Sequence, residues 1–397
     1  MLLLGPLKTI YSMMQAFRQR IRNQLKQREE NGLTRRLSTL SGGNRVRFQL
    51  GGHTYVNFSS NDYLGLATDK SLIKAWQDGL DHYGAGSAAS PLVTGHSRAH
   101  RCLEESLCCW LNFDRAILFS SGFSANQAVL YSLLEKGDWL FQDKLNHASL
   151  IEAGMHSPAL MKRFRHNDVG DLKRLLVNKE NALIVTEGVF SMDGDTSPLT
   201  QLSQIASASN NALMVDDAHG IGVLGAEGQG SCHAAGVQPD VLVVTFGKGA
   251  GLSGAAVLCD HELGDYLTQF ARHHVYSTAM PPSQAHALIH SIDMMRKQQW
   301  RRDKLDELSV AYDEVLSEVP GFIHTETPIK PLICGDSNTA VECADSLRKQ
   351  GYWLTAIRPP TVPNGQARLR ITLTANHSKK DVVEMASKVK QVVASRT

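Results

Sequence analysis

The chain has 397 residues, 42% of them hydrophobic and 20% charged, and 41 Lys+Arg against 39 Asp+Glu leave a formal net charge of +2. That length allows two or three domains, while a mean hydropathy of -0.21 and no run near the roughly 18 apolar residues of a membrane span exclude both a disordered and a transmembrane chain. The charge balance does not support a nucleic-acid binder, and the 7 cysteines form no C-x-x-C pair, which removes the main signal for zinc or thioredoxin-like chemistry and suits a reducing, cytoplasmic setting.

Residues Met13 to Glu30 read as a basic helix carrying Arg18, Arg20, Arg22, Lys26 and Arg28. A solvated face explains such a charge run, and a docking surface for an acidic partner is the alternative. A secretory signal would place its charges first and continue with a longer apolar run. A short mitochondrial-type presequence is the other possibility, although Glu29-Glu30 ends the acid-poor tract. Arg45 to Phe58 alternates apolar and polar residues around Gly51-Gly52, the pattern of a hairpin.

From about residue 97 to 260, short apolar runs alternate with helical patterns. The clearest runs are Ala116–Phe119, Ala182–Val185, Ala212–Val215 and Val241–Val244. They are nearly continuous rather than alternating, so both faces of each strand are buried. That predicts an α/β fold with a mainly parallel sheet covered by helices. Glu262 to Leu316 is largely helical and broken at Met280-Pro281-Pro282. The tail predicts a strand at Pro331–Cys334, a helix over Thr339–Lys349, strands near Thr355 and Arg368–Leu373, and a last helix from Lys379: a smaller α+β domain. The division expected is an N-terminal helix and hairpin over 1–60 packing with the small domain, a large domain over 61–290, and the small domain over 291–397.

In doubly wound sheets the chemistry collects beyond the carboxyl ends of the strands. After Phe119 comes Ser120-Ser121-Gly122-Phe123-Ser124-Ala125-Asn126, a small-residue turn opening a helix. Free backbone N–H groups and the positive end of the helix dipole there suit a phosphate, and a plain strand–helix turn is the alternative. Neither a P-loop nor the dinucleotide G-x-G-x-x-G fingerprint is present at this turn. After Val215 comes Asp216-Asp217-Ala218-His219-Gly220. Side chains alternate along a strand, so one of the two carboxylates points into a site. There it could hold a proton on a heteroaromatic nitrogen, with a metal-binding or structural Asp as the alternative. After Val244 comes Thr245-Phe246-Gly247-Lys248-Gly249. Desolvation at a strand end lowers an amine's pKa and makes it a Schiff-base nucleophile. A phosphate-binding Lys is the alternative. Together the three parts match the needs of a pyridoxal phosphate site.

The segments Asn57–Leu66 (NFSSNDYLGL), Asp216–Gly220 (DDAHG) and Thr245–Lys248 (TFGK) resemble the α-oxoamine synthase family. These are fold-type I pyridoxal-phosphate transferases that join an amino acid to an acyl thioester with loss of carbon dioxide. The likeness runs from about residue 20 to the end. The tail Ile357–Pro363 (IRPPTVP) with Ala367–Thr374 (ARLRITLT) resembles the branch that takes L-alanine and a pimeloyl thioester, on coenzyme A or an acyl carrier protein. Glycine-using members, a glycine C-acetyltransferase or 5-aminolevulinate synthase, are the alternative. A non-catalytic partner subunit would lack Lys248.

The resemblance implies a pyridoxal 5'-phosphate cofactor held by Lys248, with Asp216 on the pyridine nitrogen, His219 on the ring 3′-oxygen and His147 stacked on the ring face. Ser191 and Thr245 would lie near the ring oxygen and phosphate, and Gly122 and Phe123 would supply backbone. The family's active site lies at a homodimer interface, so Ser277 and Thr278 would reach a phosphate in the partner subunit. Arg35, Asn61, His147, Thr361 and Arg370 would face substrate, with Arg370 on the amino-acid carboxylate, which its planar fork suits. No metal is implied. Arg358 and Arg368 read as structural, His166-Asn167-Asp168 as a loop, and Asp193 and Asp195 as turn residues.

Overall fold

In a computed structural model that describes residues 5–35 and 37–395, the four apolar runs become strands of one seven-stranded sheet. The strands are β1 (Arg47–Leu50), β2 (His53–Asn57), β3 (Arg115–Phe119), β4 (Trp139–Asp143), β5 (Leu160–Phe164), β6 (Ala182–Glu187), β7 (Ala212–Asp216), β8 (Val241–Thr245), β9 (Ala255–Cys259), β10 (Ile329–Gly335), β11 (Tyr352–Trp353), β12 (Thr355–Ile357) and β13 (Ala367–Thr372). The large sheet has the order β3-β9-β8-β7-β6-β4-β5. β5, β4, β6, β7 and β8 pair in parallel, and β9 runs antiparallel to both of its neighbours.

Period-two alternation explains why the runs are apolar throughout. Leu118, Ile184, Leu213, Val215, Leu242 and Val244 point to one apolar cluster. Ile117, Phe119, Leu183, Val185, Met214, Val241 and Val243 point to another on the opposite face. Each strand is thus covered by helices on both sides, as the continuous runs predict.

The chain divides into two compact units at Ser41/Gly42. The first carries the helix Gly5–Glu30, longer than the stretch expected from Met13. Its Met14, Phe17, Ile21 and Leu25 are exposed.

In the second unit the hairpin β1–β2 turns at Gly51 and Gly52, with φ of 58° and 80°, values glycine adopts without a Cβ penalty. β2 also pairs in parallel with β11, which ties residues 47–57 to the C-terminal part of the chain. β10, β13 and β12 form a third sheet, with β13 in the middle. Pro282–Lys297 and Trp300–Leu316 are the two long helices between the large sheet and the C-terminal sheet in sequence. Among the described residues no helix is long and apolar enough to cross a membrane.

Candidate active site

Parallel strands end together, so the residues that follow β3, β6, β7 and β8 meet at one edge. In register, Glu187 of β6 lies beside Asp216 of β7, and Asp216 beside Val243 of β8. Over these ends lies a cavity of about 360 Å³ lined by Asn61, Gly122, Phe123, Asn126, His147, Ser149, Glu187, Asp216, His219, Thr245 and Lys248, among others.

Ser121 caps the helix Gly122–Leu133 and accepts a hydrogen bond from the Ser124 N–H at 3.2 Å. The helix therefore starts at the cavity wall with its first N–H groups at the lining. A Cβ added at Gly122 would stand 2.5 Å from Cγ2 of Thr245, so the turn and the end of β8 approach as closely as they do only because Gly122 has no side chain. The Thr245 Oγ1 is buried and has no hydrogen-bond partner among the described residues.

Of the two adjacent carboxylates, Asp216 faces the cavity and Asp217 faces away, as alternation requires. Asp216 Oδ2 accepts from Asn126 Nδ2 at 2.6 Å, and its Oδ1 accepts from the Ala218 N–H at 3.0 Å. Asp217 is fully buried on Ser231, which donates its N–H at 2.8 Å and its hydroxyl at 2.6 Å. Burial pushes the Asp217 carboxyl up to about 7.

The Lys248 Nζ lies 2.8 Å from His219 Nε2. Burial pushes the Lys248 amine down to about 8, against the attraction of Asp216 and Glu187 and with repulsion from Arg370. Burial, Lys248 and Arg370 together hold His219 well below the usual imidazole range, so this ring is neutral. An ammonium can only donate, which makes Nε2 an acceptor and puts the ring proton on Nδ1. Nδ1 faces the Tyr63 hydroxyl at 2.5 Å, and that hydroxyl lies 3.4 Å from Asn61 Oδ1.

Arg370, on β13, brings the C-terminal sheet to this edge; it lies outside the cavity lining itself and touches it through Asn61. Its Nε donates to the Ser191 carbonyl at 2.6 Å, its Nη1 to Thr372 Oγ1 and Asn61 Oδ1 at 3.1 Å each, and its Nη2 to Asn61 Oδ1 at 3.2 Å. Ser191 thus meets the group through its carbonyl and stands outside the cavity lining.

The neighbouring turn is held by more than its own geometry. Arg368 is buried and pairs with Asp193, while His166 bridges Asp143 at 3.0 Å and Asp195 at 2.7 Å. Burial opposes a charge on His166, but the two carboxylates overcome it and raise the ring to about 10. His166 and Asp195 are therefore members of a half-buried ion-pair network, anchored on the buried Asp143, as well as loop and turn residues.

Arg35 is exposed and belongs to the first unit. Ser277 is half-buried and Thr278 and Thr361 are exposed, and these three lie outside the cavity lining. Asn126, Ser149, Glu187 and Tyr63 enter the site without a role assigned from sequence. Asn126 and Tyr63 stand inside the quoted motifs, Ser149 follows His147 by two residues, and Glu187 is the last residue of an apolar strand, the position already marked for Asp216.

Pyridoxal phosphate fits the residues present. Lys248 offers an amine close to neutrality, Asp216 a carboxylate in the same cavity, and the start of the Gly122 helix an anion cradle beside an unpartnered Thr245 hydroxyl.

The family model for aminotransferase class I and II matches residues 53–389. An 8-amino-7-oxononanoate synthase of Vibrio atlanticus (strain LGP32) is 60% identical over 380 residues, 96% of this chain and 94% of that one. One from Vibrio cholerae is 58% identical, covering 96% and 99%. Among solved structures, the Sphingomonas wittichii serine palmitoyltransferase matches with a TM-score of 0.87 at 26% identity, over 100% of this chain and 99% of that one. An SPT solved with PLP matches with a TM-score of 0.87 at 26% identity over 94% and 97%. The Francisella tularensis 8-amino-7-oxononanoate synthase matches with a TM-score of 0.75 at 29% identity over 86% and 98%.

Proposed function

The chain belongs to the aminotransferase class I and II family, on its α-oxoamine synthase branch, and from that premise we infer that it is a pyridoxal-phosphate-dependent acyltransferase that makes 8-amino-7-oxononanoate. The reaction is the condensation of L-alanine with a pimeloyl thioester, releasing carbon dioxide and the free thiol, a step of biotin biosynthesis. The observation that carries it is the convergence of Lys248, Asp216 and the Gly122 helix start in one cavity, in a chain 56–60% identical over nearly its whole length to several synthases of that name.

When bound, pyridoxal phosphate supplies the electron sink for a carbanion at the amino-acid Cα. Lys248 is the amine that would hold its aldehyde, and its Nζ would also serve as the base for the Cα proton, a task that a pKa near neutrality suits. Asp216 would keep a proton on the pyridine nitrogen. His147 and His219 would face the ring, and Gly122, Phe123 and Thr245 the phosphate side. Arg370, with Asn61, would bind the amino-acid carboxylate and so fix which Cα bond lies aligned to break.

The same reading includes a homodimer with Ser277 and Thr278 serving the partner's site, Arg35 and Thr361 on substrate, Ser191 near the cofactor, a cytoplasmic location, and the division at residues 60/61 and 290/291. The separate large and C-terminal sheets are in keeping with two such domains, since β3–β9 build the one and β10, β12 and β13 the other, although position 290/291 falls within the helix Pro282–Lys297.

The test is product analysis after incubation with pyridoxal phosphate, pimeloyl-CoA and either L-alanine or glycine. 8-Amino-7-oxononanoate from alanine supports the reading. Product from glycine alone moves the activity to a glycine-using relative, and no product from either, with no bound-cofactor absorbance, refutes it.

A further inference from the structure

The floor of the cavity carries a hydrogen-bond chain that the proposed chemistry does not use. Asn126 sits in the helix Gly122–Leu133 and Ser149 in the helix Ala148–His156, and both are buried. The Asn126 Nδ2 lies 2.6 Å from Asp216 Oδ2 and 2.9 Å from Ser149 Oγ. The Ser149 Oγ lies 2.8 Å from His147 Nδ1, and the Ser149 backbone N–H points at the same nitrogen at 3.3 Å.

The direction of every proton in this chain follows from its ends. A carboxylate only accepts, so the Asn126 amide must turn its NH2 toward Asp216. The second hydrogen of that NH2 goes to Ser149 Oγ, which leaves the hydroxyl hydrogen free to donate onward to His147 Nδ1. A backbone N–H also only donates. Two donors therefore converge on Nδ1, which must present a lone pair, and the ring carries its one proton on Nε2.

We propose that Ser149 is a positioning residue: with Asn126 it locks the His147 ring as the neutral tautomer protonated on Nε2 and ties that ring to the Asp216 carboxylate. A second proton on His147 would have to enter at Nδ1, against both donors. The charged and titratable groups around the ring are Asp216 at the end of β7, Glu187 at the end of β6, and His219 and Lys248 beyond β7 and β8. Burial lowers the His147 pKa and Lys248 lowers it further, against the pull of Asp216, in the direction the lock requires. Phe123 meets the ring edge to face at 6.2 Å. The consequence for turnover rests on the cofactor reading above, under which a ring lying over the cofactor should stay uncharged and at a fixed tilt. The tautomer itself rests on geometry alone.

The test is 15N NMR of the full-length protein with labelled histidine, with the His147 signals assigned by difference against His147→Gln. In the wild type, Nδ1 is expected to resonate as an unprotonated ring nitrogen and Nε2 as a protonated one, unchanged between about pH 6 and pH 8, the range in which a free imidazole titrates. Ser149→Ala is expected to mix the tautomers or allow protonation in that range. It should also lower kcat about fivefold to tenfold, the effect of one hydrogen bond, with the KM for L-alanine within about twofold. Ser149→Cys, similar in size with a weak donor, should recover part of both signals. A protonated Nδ1 in the wild type overturns the proposal even if no variant folds. So does a Ser149→Ala protein with the wild-type tautomer and turnover. A wild type with the expected tautomer but no product from alanine refutes the functional reading and leaves this inference standing.

Discussion

Arg370→Lys separates substrate binding from cofactor chemistry. Among the described residues the Arg370 guanidinium spends four of its hydrogen bonds on Ser191, Thr372 and Asn61. A guanidinium has five N–H groups, and the remaining one is turned to the Tyr63 hydroxyl, so a substrate carboxylate would be met by sharing or displacing one of these contacts. Lysine keeps the positive charge but has a compact ammonium with three donors and no planar fork. It cannot hold Asn61 and Ser191 and also reach a substrate carboxylate. The loss is about one charge-assisted hydrogen bond, roughly 1.5–3 kcal/mol, which corresponds to a fall of about 10- to 100-fold in kcat/KM for the amino acid. Steady-state rates with varied L-alanine should show this chiefly as a raised KM. Bound-cofactor absorbance should stay near wild type, because Lys248, Asp216 and the Gly122 turn are untouched, while the thermal midpoint should fall by a few degrees as Ser191, Thr372 and Asn61 lose donors. A KM for L-alanine within about twofold of wild type in a folded, cofactor-loaded variant would refute the assignment of Arg370 to the carboxylate.

Lys248→Ala is expected to abolish turnover while leaving the thermal midpoint within a few degrees, since among the described residues the amine makes one hydrogen bond, to His219; measurable product formation would remove Lys248 from the mechanism. Gly122→Val should weaken cofactor affinity about tenfold or more, because even the first added carbon would stand 2.5 Å from Thr245 Cγ2; a titration of pyridoxal phosphate against the apo-protein measures it, and an unchanged Kd would exclude the turn as the cradle. Capture of the cofactor's aldehyde needs a neutral amine, so the association rate should rise with pH through about 8 and then level, following the lowered Lys248 pKa. His166, raised to about 10, contributes stability that is fully present below the unfolded value of about 6.5 and is lost as pH climbs toward 10. His166→Asn should therefore flatten the fall in thermal midpoint between about pH 7 and pH 10, and an unchanged slope would show that the pair with Asp143 and Asp195 does not hold the charge.

The strands that carry the site were legible because their burial on both faces leaves a continuous apolar signature. β5 left no such mark. It is an edge strand of the large sheet and, unlike β3 at the other edge, leaves Leu160, Lys162 and Arg163 exposed, so its pattern is that of a polar surface. Lys248, Asp216 and Gly122 were readable for a related reason: a charged residue or a glycine turn placed at the end of a buried apolar run is costly unless it is used there. Glu187 stands at the same place on β6 and could have been found by the same rule.

What the sequence determined by itself is therefore local: which segments are buried strands, what chemistry stands at their ends, and which family that constellation resembles. Those properties depend on residues close together in the chain. The tertiary structure alone decided which side chains meet. Asp216 rather than Asp217 faces the cavity because the pleat turns one carboxylate in and seats the other on Ser231. Tyr63 reaches His219 across 156 positions, and Arg370 reaches Asn61 across 309. Asn126 and Ser149 join Asp216 to His147 from two helices. Serine and asparagine carry no periodicity or charge that marks them in a sequence. Their part is set by which buried donor lies within 3 Å of which acceptor, a distance that exists only after the sheet has brought the strand ends together.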